Sequence, residues 1–250
     1  MRWIVLGLAV AAVVGAWRRH RRRHARQRDL TLLCLAAGVE FAPVDPFPET
    51  AWLPFRMFGR ARSGSENVVW DPRRADGVRT FDFWYEDSTD ERPAGRRRTF
   101  TCAAVPVGFA CSRLRIVPRD LLDDVADALG LTEVTVELEA FNERFHVEAE
   151  DPRFANAFLD QRMIEAVLRL PPQIRIDVNE QTMLLWAPLL PPDGVLTLLL
   201  AATGIRRHLP RVLSSLFPPR PARGPHEDRW LQGRWSPAPI GGEPPTTSER

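Results

Sequence analysis

The side chains best suited by type and spacing to do chemistry are His146 with Glu148 and Glu137. In Phe145-His146-Val147-Glu148-Ala149 apolar residues alternate with polar ones, so a strand sets the imidazole and the carboxylate on one polar face. Val134, Val136 and Leu138 alternate with Thr135, Glu137 and Glu139 in the same way. A histidine beside a carboxylate, or the pair Glu137 and Glu148, is what general acid–base work requires. An enzyme acting from this sheet face is the alternative reading of the chain. As ordinary solvated strand residues they need no chemistry at all, and the sequence favours that.

Other clusters fail on spacing. Asp120, Asp123, Asp124 and Asp127 lack the glycine turn of a calcium loop and suit the wet face of a helix over 121–129, whose Leu121, Leu122, Val125 and Leu129 form the buried stripe. Arg96, Arg97 and Arg98 follow Glu86, Asp87, Asp90 and Glu91 across a hairpin, so cross-strand ion pairing accounts for them better than a phosphate site does. Ser63-Gly64-Ser65 has no nucleophile-elbow pattern, and no glycine-rich nucleotide loop occurs. All 34 residues counted as Lys or Arg are Arg, which removes Schiff-base chemistry and a phosphate-loop lysine. Cys34, Cys102 and Cys111 form no CxxC; they read as small buried hydrophobes, with Cys102 paired to Cys111 only in an oxidising compartment. No catalytic, metal or cofactor set is expected.

The elements that would carry these residues begin with an apolar run over 3–17, flanked by Trp3 and Trp17 and followed by Arg18, Arg19, Arg21, Arg22, Arg23, Arg26 and Arg28. As a helix the run rises about 22 Å, short of the ~30 Å hydrocarbon core, but arginine snorkelling and interfacial tryptophans make a short transmembrane span plausible. The seven arginines on its C-terminal side place the bulk of the chain in the cytoplasm of a single-pass cell-membrane protein. A signal peptide would carry its charge before the run. The arginines are then membrane-proximal and could contact anionic headgroups of the bilayer. Without residues 1–28 the chain has 26 Arg against 32 acids, a balance that argues against nucleic acid.

Four segments follow: an anchor over 1–17, a polybasic stretch over 18–28, an α+β cytosolic domain over 29–217 and a disordered tail over 218–250. Within the domain, residues 29–37 read as a helix closed by Gly38, and a proline-punctuated aromatic stretch over 41–58 crosses the core surface. Strands are expected over 66–71, 78–85, 99–107 and 113–117, then the sheet segments around 134–139 and 144–150. Asp151-Pro152 and Asp160 start helices. A hairpin around Asn179-Glu180 joins strands over 173–178 and 182–186, and a last helix runs from 195 to about 208, with an extension past Pro210 to about 217. The tail, with eight prolines and four glycines after residue 217, has a composition that does not bury a core. Arg229-Trp230 and Arg234-Trp235 within it could dock a protein partner.

Glu139-Ala140-Phe141-Asn142-Glu143-Arg144-Phe145-His146-Val147-Glu148-Ala149-Glu150-Asp151-Pro152-Arg153-Phe154-Ala155, with Phe158-Leu159-Asp160 and Met163, resembles a pattern in bacterial, actinobacterial-type membrane-anchored proteins with a domain of unknown function. The stretch Gly77-Val78-Arg79-Thr80-Phe81-Asp82-Phe83-Trp84-Tyr85 resembles that group's F-D-x-x-Y strand. The likeness covers roughly 30–216. It implies an α+β domain beside membrane helices and carries no catalytic residue. The functional expectation is therefore a non-catalytic binding or scaffolding module, with a homo-oligomer a further possibility.

Overall fold

The computed structural model describes residues 2–74, 76–89, 92–124 and 130–232. With no proline before Pro43, helix α1 (Arg2–Ala37) runs unbroken through the apolar run, the arginines and residues 29–37. Gly38 ends it at φ 66°, where Gly38 N–H bonds Leu35 O (3.3 Å) and Val39 N–H bonds Cys34 O (3.0 Å), the paired closure that a left-handed glycine permits.

Among the described residues, no helix is long and apolar enough to cross a membrane. The transmembrane anchor over 1–17, and with it the single-pass architecture, is therefore corrected. The physical reason lies in α1 itself: the apolar run is only 15 residues long, and the helix continues into Arg18 and beyond without a second apolar stretch to complete a span. Its C-terminal part belongs to the folded body instead, with Leu30 and Cys34 buried.

The fold class is α+β, with helices packed on an antiparallel sheet. The strands are β1 (Glu40–Val44), β2 (Ser63–Trp70), β3 (Arg79–Thr89), β4 (Arg92–Pro118), β5 (Thr132–Glu133), β6 (Phe145–Ala149) and β7 (Arg175–Pro188), in the order β1-β2-β3-β4-β6-β5, with β7 along the other side of β4. The long strand β4 organises everything. Its first half lies between β3 and the end of β7, and its second half between β6 and the start of β7.

One sheet face packs on α1, α3 (Pro152–Phe158), α4 (Gln161–Leu168), α5 (Pro192–His208) and α6 (Val212–Leu216), burying Phe154, Phe158, Met163, Val167 and Leu198 against Val105, Ile116, Ile176 and Leu185. Each fully buried phenylalanine contributes roughly 1.5–3 kcal/mol relative to exposure. Asp151 and Asp160 cap α3 and α4 as their sequence suggests, accepting from Arg153 N–H (2.9 Å) and Met163 N–H (2.8 Å). The opposite face is covered by two 3-10 turns, Pro48–Trp52 and Arg56–Gly59, which bring Phe47, Leu53 and Phe58 onto Phe81, Phe83, Cys102 and Leu184.

Four further expectations change. Where the helix over 121–129 is expected to begin, residues 121–124 belong to a 3-10 turn, Arg119–Asp124, and residues 125–129 lie outside the described residues. The strand expected around 134–139 is not formed; β5 precedes it, and Asn142, on the short helix α2 (Glu139–Arg144), binds both backbone groups of Val136 and so fixes a turn there. The hairpin at Asn179-Glu180 is a corner within one strand, since both arms of β7 pair with β4 and not with each other. The tail is ordered at its start, forming α7 (Pro225–Gln232) with Trp230 buried, while residues 233–250 lie outside the described residues.

Candidate functional site

The corner of the sheet creates the site. In β4, residues 100, 102 and 104 face the 3-10 turns, but so do 113, 115 and 117, an odd offset that a regular strand forbids. Register breaks between Pro106 and Cys111 and between Cys111 and Leu114 supply the change of phase. In β7 the matching change occurs at Glu180, a non-glycine residue at φ 55°. Between the flanking pairs, Pro106 with Thr182 and Leu114 with Val178, β4 takes more residues than β7, so β7 runs on the inside of the bend.

The concave side of that bend is a cleft of about 280 Å³. One wall is aromatic: Tyr85 and Phe100 stack with centroids 5.8 Å apart, and Phe100 meets Trp186 edge to face at 5.4 Å. The other wall carries Arg115 and Asp177, and Phe55, Met57 and Arg60 close the top. Asp177 is the hub. It accepts from Trp186 Nε1 (2.5 Å) and from Arg115 Nε (3.1 Å), and burial raises its pKa against the opposing pull of Arg115, the Trp186 hydrogen bond and Arg175. Arg175, itself buried, lies 4.6 Å from the Trp186 ring.

A row of charge continues from the cleft across the sheet. Arg115 stands opposite both Asp177 and Glu148, and Glu148 stands opposite Glu133. His146 sits between the two glutamates, Nε2 3.3 Å from Glu148 and Nδ1 3.2 Å from Glu133. The expected juxtaposition of His146 with Glu148 is therefore present, but Glu137 lies exposed in the turn before α2 and Glu133 takes its place. None of these three residues lines the cleft, and the cleft lining contains no serine, cysteine or histidine. Among the described residues no group of three His, Cys, Asp or Glu side chains could hold a metal ion.

The seven arginines after the apolar run divide. Arg18, Arg21, Arg22 and Arg28 are exposed, with Arg21 4.8 Å from the Trp17 ring, and Arg19 lies on the same helix. Arg23 pairs with Glu66 on β2. Arg26 turns inward and grips Asp82 by two bonds, Nε to Oδ2 (2.7 Å) and Nη2 to Oδ1 (2.8 Å), while its Nη1 donates to Leu190 O (2.6 Å). On the hairpin, Glu86 stands opposite Arg97 and Asp87 opposite Arg96; Arg98 pairs with Asp87 at 3.7 Å, while Arg97 reaches Glu66 and the Trp84 ring. Asp90 and Glu91 lie outside the described residues. All three cysteines are free, and Cys102 and Cys111 pack on opposite sides of the sheet.

Neither Arg115 nor Asp177 is among the residues singled out from the sequence. Their signal was available in the alternation Arg113-Leu114-Arg115-Ile116 and Arg175-Ile176-Asp177-Val178, which marks two strands with one charged face. The corner that brings Trp186 to them had no such signal.

The fold resembles that of a mycobacterial transport factor. The crystal structure of the mycobacterial trehalose monomycolate transport factor A is similar over 78% of this chain and 97% of that one, with a TM-score of 0.54 and 14% sequence identity. At that identity the likeness is one of fold. No family model matches the chain, and no curated protein does. The actinobacterial character of the resemblance over 139–163 thus finds a structural neighbour but no family.

Proposed function

We propose that the protein is a non-catalytic binding module, an accessory factor that holds the hydroxylated headgroup of an amphiphile in the cleft at the sheet corner. The observation that carries this reading is the aromatic wall of Tyr85, Phe100 and Trp186 facing the Arg115–Asp177 pair. A sugar ring offers an apolar C–H face to aromatic rings and hydroxyls at its edge, where a carboxylate accepts and a guanidinium donates. The volume, about 280 Å³, lies just below the usual range for drug-sized ligands and suits a headgroup rather than a whole lipid.

Two further points support it. Asp177 is already engaged by Arg115 and Trp186, Tyr85 stacks on Phe100, and the lining holds no serine, cysteine or histidine, so the arrangement suits holding better than turnover. The fold is shared with a mycobacterial trehalose monomycolate transport factor. The exposed Arg18, Arg21, Arg22 and Arg28 would draw the protein toward an anionic surface at roughly 1 kcal/mol per charge.

Saturation-transfer NMR with trehalose, octyl glucoside and octanoate tests the reading. Saturation of the sugar-ring protons, lost in Trp186→Ala, is expected. Transfer to octanoate with none to either sugar would overturn it.

A further inference from the structure

In the segment 218–231 a single residue, Trp230, is buried, at 3% exposure. Its indole N–H donates to Thr182 Oγ1 (2.7 Å), and its ring lies 4.9 Å from the guanidinium carbon of Arg79, which in turn lies 4.7 Å from the Phe47 ring. Arg79 is 1% exposed and bonds Thr50 Oγ1 (3.1 Å); burial brings its pKa down to about 10, with Asp45 and Glu49 opposing the fall. The neighbouring Arg229 Nε donates to the buried carboxylate of Glu49 (2.8 Å), and His226 stacks on Trp52 at 5.1 Å.

This is how a receptor reads a peptide. One anchor fills a slot, the Arg229–Glu49 bond sets the register of α7, and, on the segment leading into it, Arg220 and Arg223 pair with Glu180. An eight-residue helix is too short to persist in water by itself, so α7 exists because it is docked. Its flank carries Pro218, Pro219 and Pro221, and the anchoring pair recurs in the sequence as Arg234-Trp235.

We infer that the groove formed by Arg79, Thr182 and the Pro48–Trp52 turn is a docking site for a short helical segment carrying Arg-Trp, filled in cis by α7. A partner presenting the same chemistry competes with α7 for the groove. The short connection gives α7 an effective concentration in the millimolar range, so a free segment binding at tens of micromolar reaches the groove only when α7 is weakened or displaced.

A fluorescein-labelled peptide of residues 224–236, titrated by anisotropy into full-length wild type and Trp230→Ala, is the test. The expected result is binding to Trp230→Ala at least tenfold tighter than to wild type, abolished when the tryptophans of the peptide are replaced by alanine. Equal affinity for both proteins, or no binding to a Trp230→Ala protein that melts like wild type, would overturn the inference. Should Trp230→Ala fail to fold, native hydrogen exchange of the wild type decides: exchange of α7 at least tenfold faster than β4 and β7 supports docking, and exchange at their common rate contradicts it. A wild-type dimer in sedimentation that vanishes in Trp230→Ala would make the occupant a second copy's tail and contradict the cis assignment.

Discussion

Trp186 donates its indole N–H to Asp177 at 2.5 Å although they lie nine positions apart along one strand. A straight strand would hold them roughly 30 Å apart and on opposite faces. The corner at Glu180 removes both obstacles, turning the strand back and changing its phase by one residue. The cleft is a product of that corner.

Asp177 makes stability depend on pH in a definite direction. Burial raises its folded pKa above the 3.8 of a free aspartate, so between those values the native state binds more protons than the unfolded chain and stability falls as pH rises. Asp177→Asn has no such proton to lose. The stability of the wild type relative to Asp177→Asn should therefore be greatest below pH 4 and decline as pH climbs through the raised pKa, then level off. Urea denaturation of both proteins at a series of pH values checks this.

Arg26 holds α1 to the sheet. Asp82, 2% exposed on its side chain, receives two bonds from Arg26, one from Asn67 Nδ2 (2.8 Å) and one from Thr101 Oγ1 (3.0 Å). Arg26→Ala leaves that carboxylate buried without its counter-charge, a change that costs about 3 kcal/mol or more. Arg22→Ala, at an exposed position of the same helix, should stay within about 0.5 kcal/mol. Chemical denaturation of the two variants separates a structural arginine from a surface one.

The contrast between these two arginines marks what sequence could and could not disclose. Local chemistry was legible: Gly38 closing α1, Asp151 and Asp160 capping their helices, the alternation of β6, and Asp87 pairing with Arg98 across the hairpin all depend on nearby residues. Residues joined only by long-range register were not. Nothing local distinguishes Arg26 from Arg22, since their difference is Asp82, 56 residues away. Asn179-Glu180 reads as a hairpin turn because a positive φ serves a turn and a strand corner alike. Trp230 sits in a proline-rich tail whose composition gives no sign that a finished groove awaits it.

The three thiols should be slow to react. Burial pushes Cys34 up to about 11 and raises Cys102 and Cys111 as well, so at pH 8 the nucleophilic thiolate is scarce. Ellman's reagent should titrate three thiols in denaturant and label the native protein far more slowly than a free cysteine. Prompt native labelling would place at least one thiol at the surface.

Binding of a sugar-bearing headgroup in the corner cleft is reported directly by the Trp186 indole N–H. In a 15N spectrum, with the Trp186 signal assigned by Trp186→Phe, titration with octyl glucoside should shift that resonance while the Trp230 indole, held by Thr182 in the separate groove, stays in place. An unmoved Trp186 signal at saturating glycoside, or shifts of equal size at both indoles, would contradict the account.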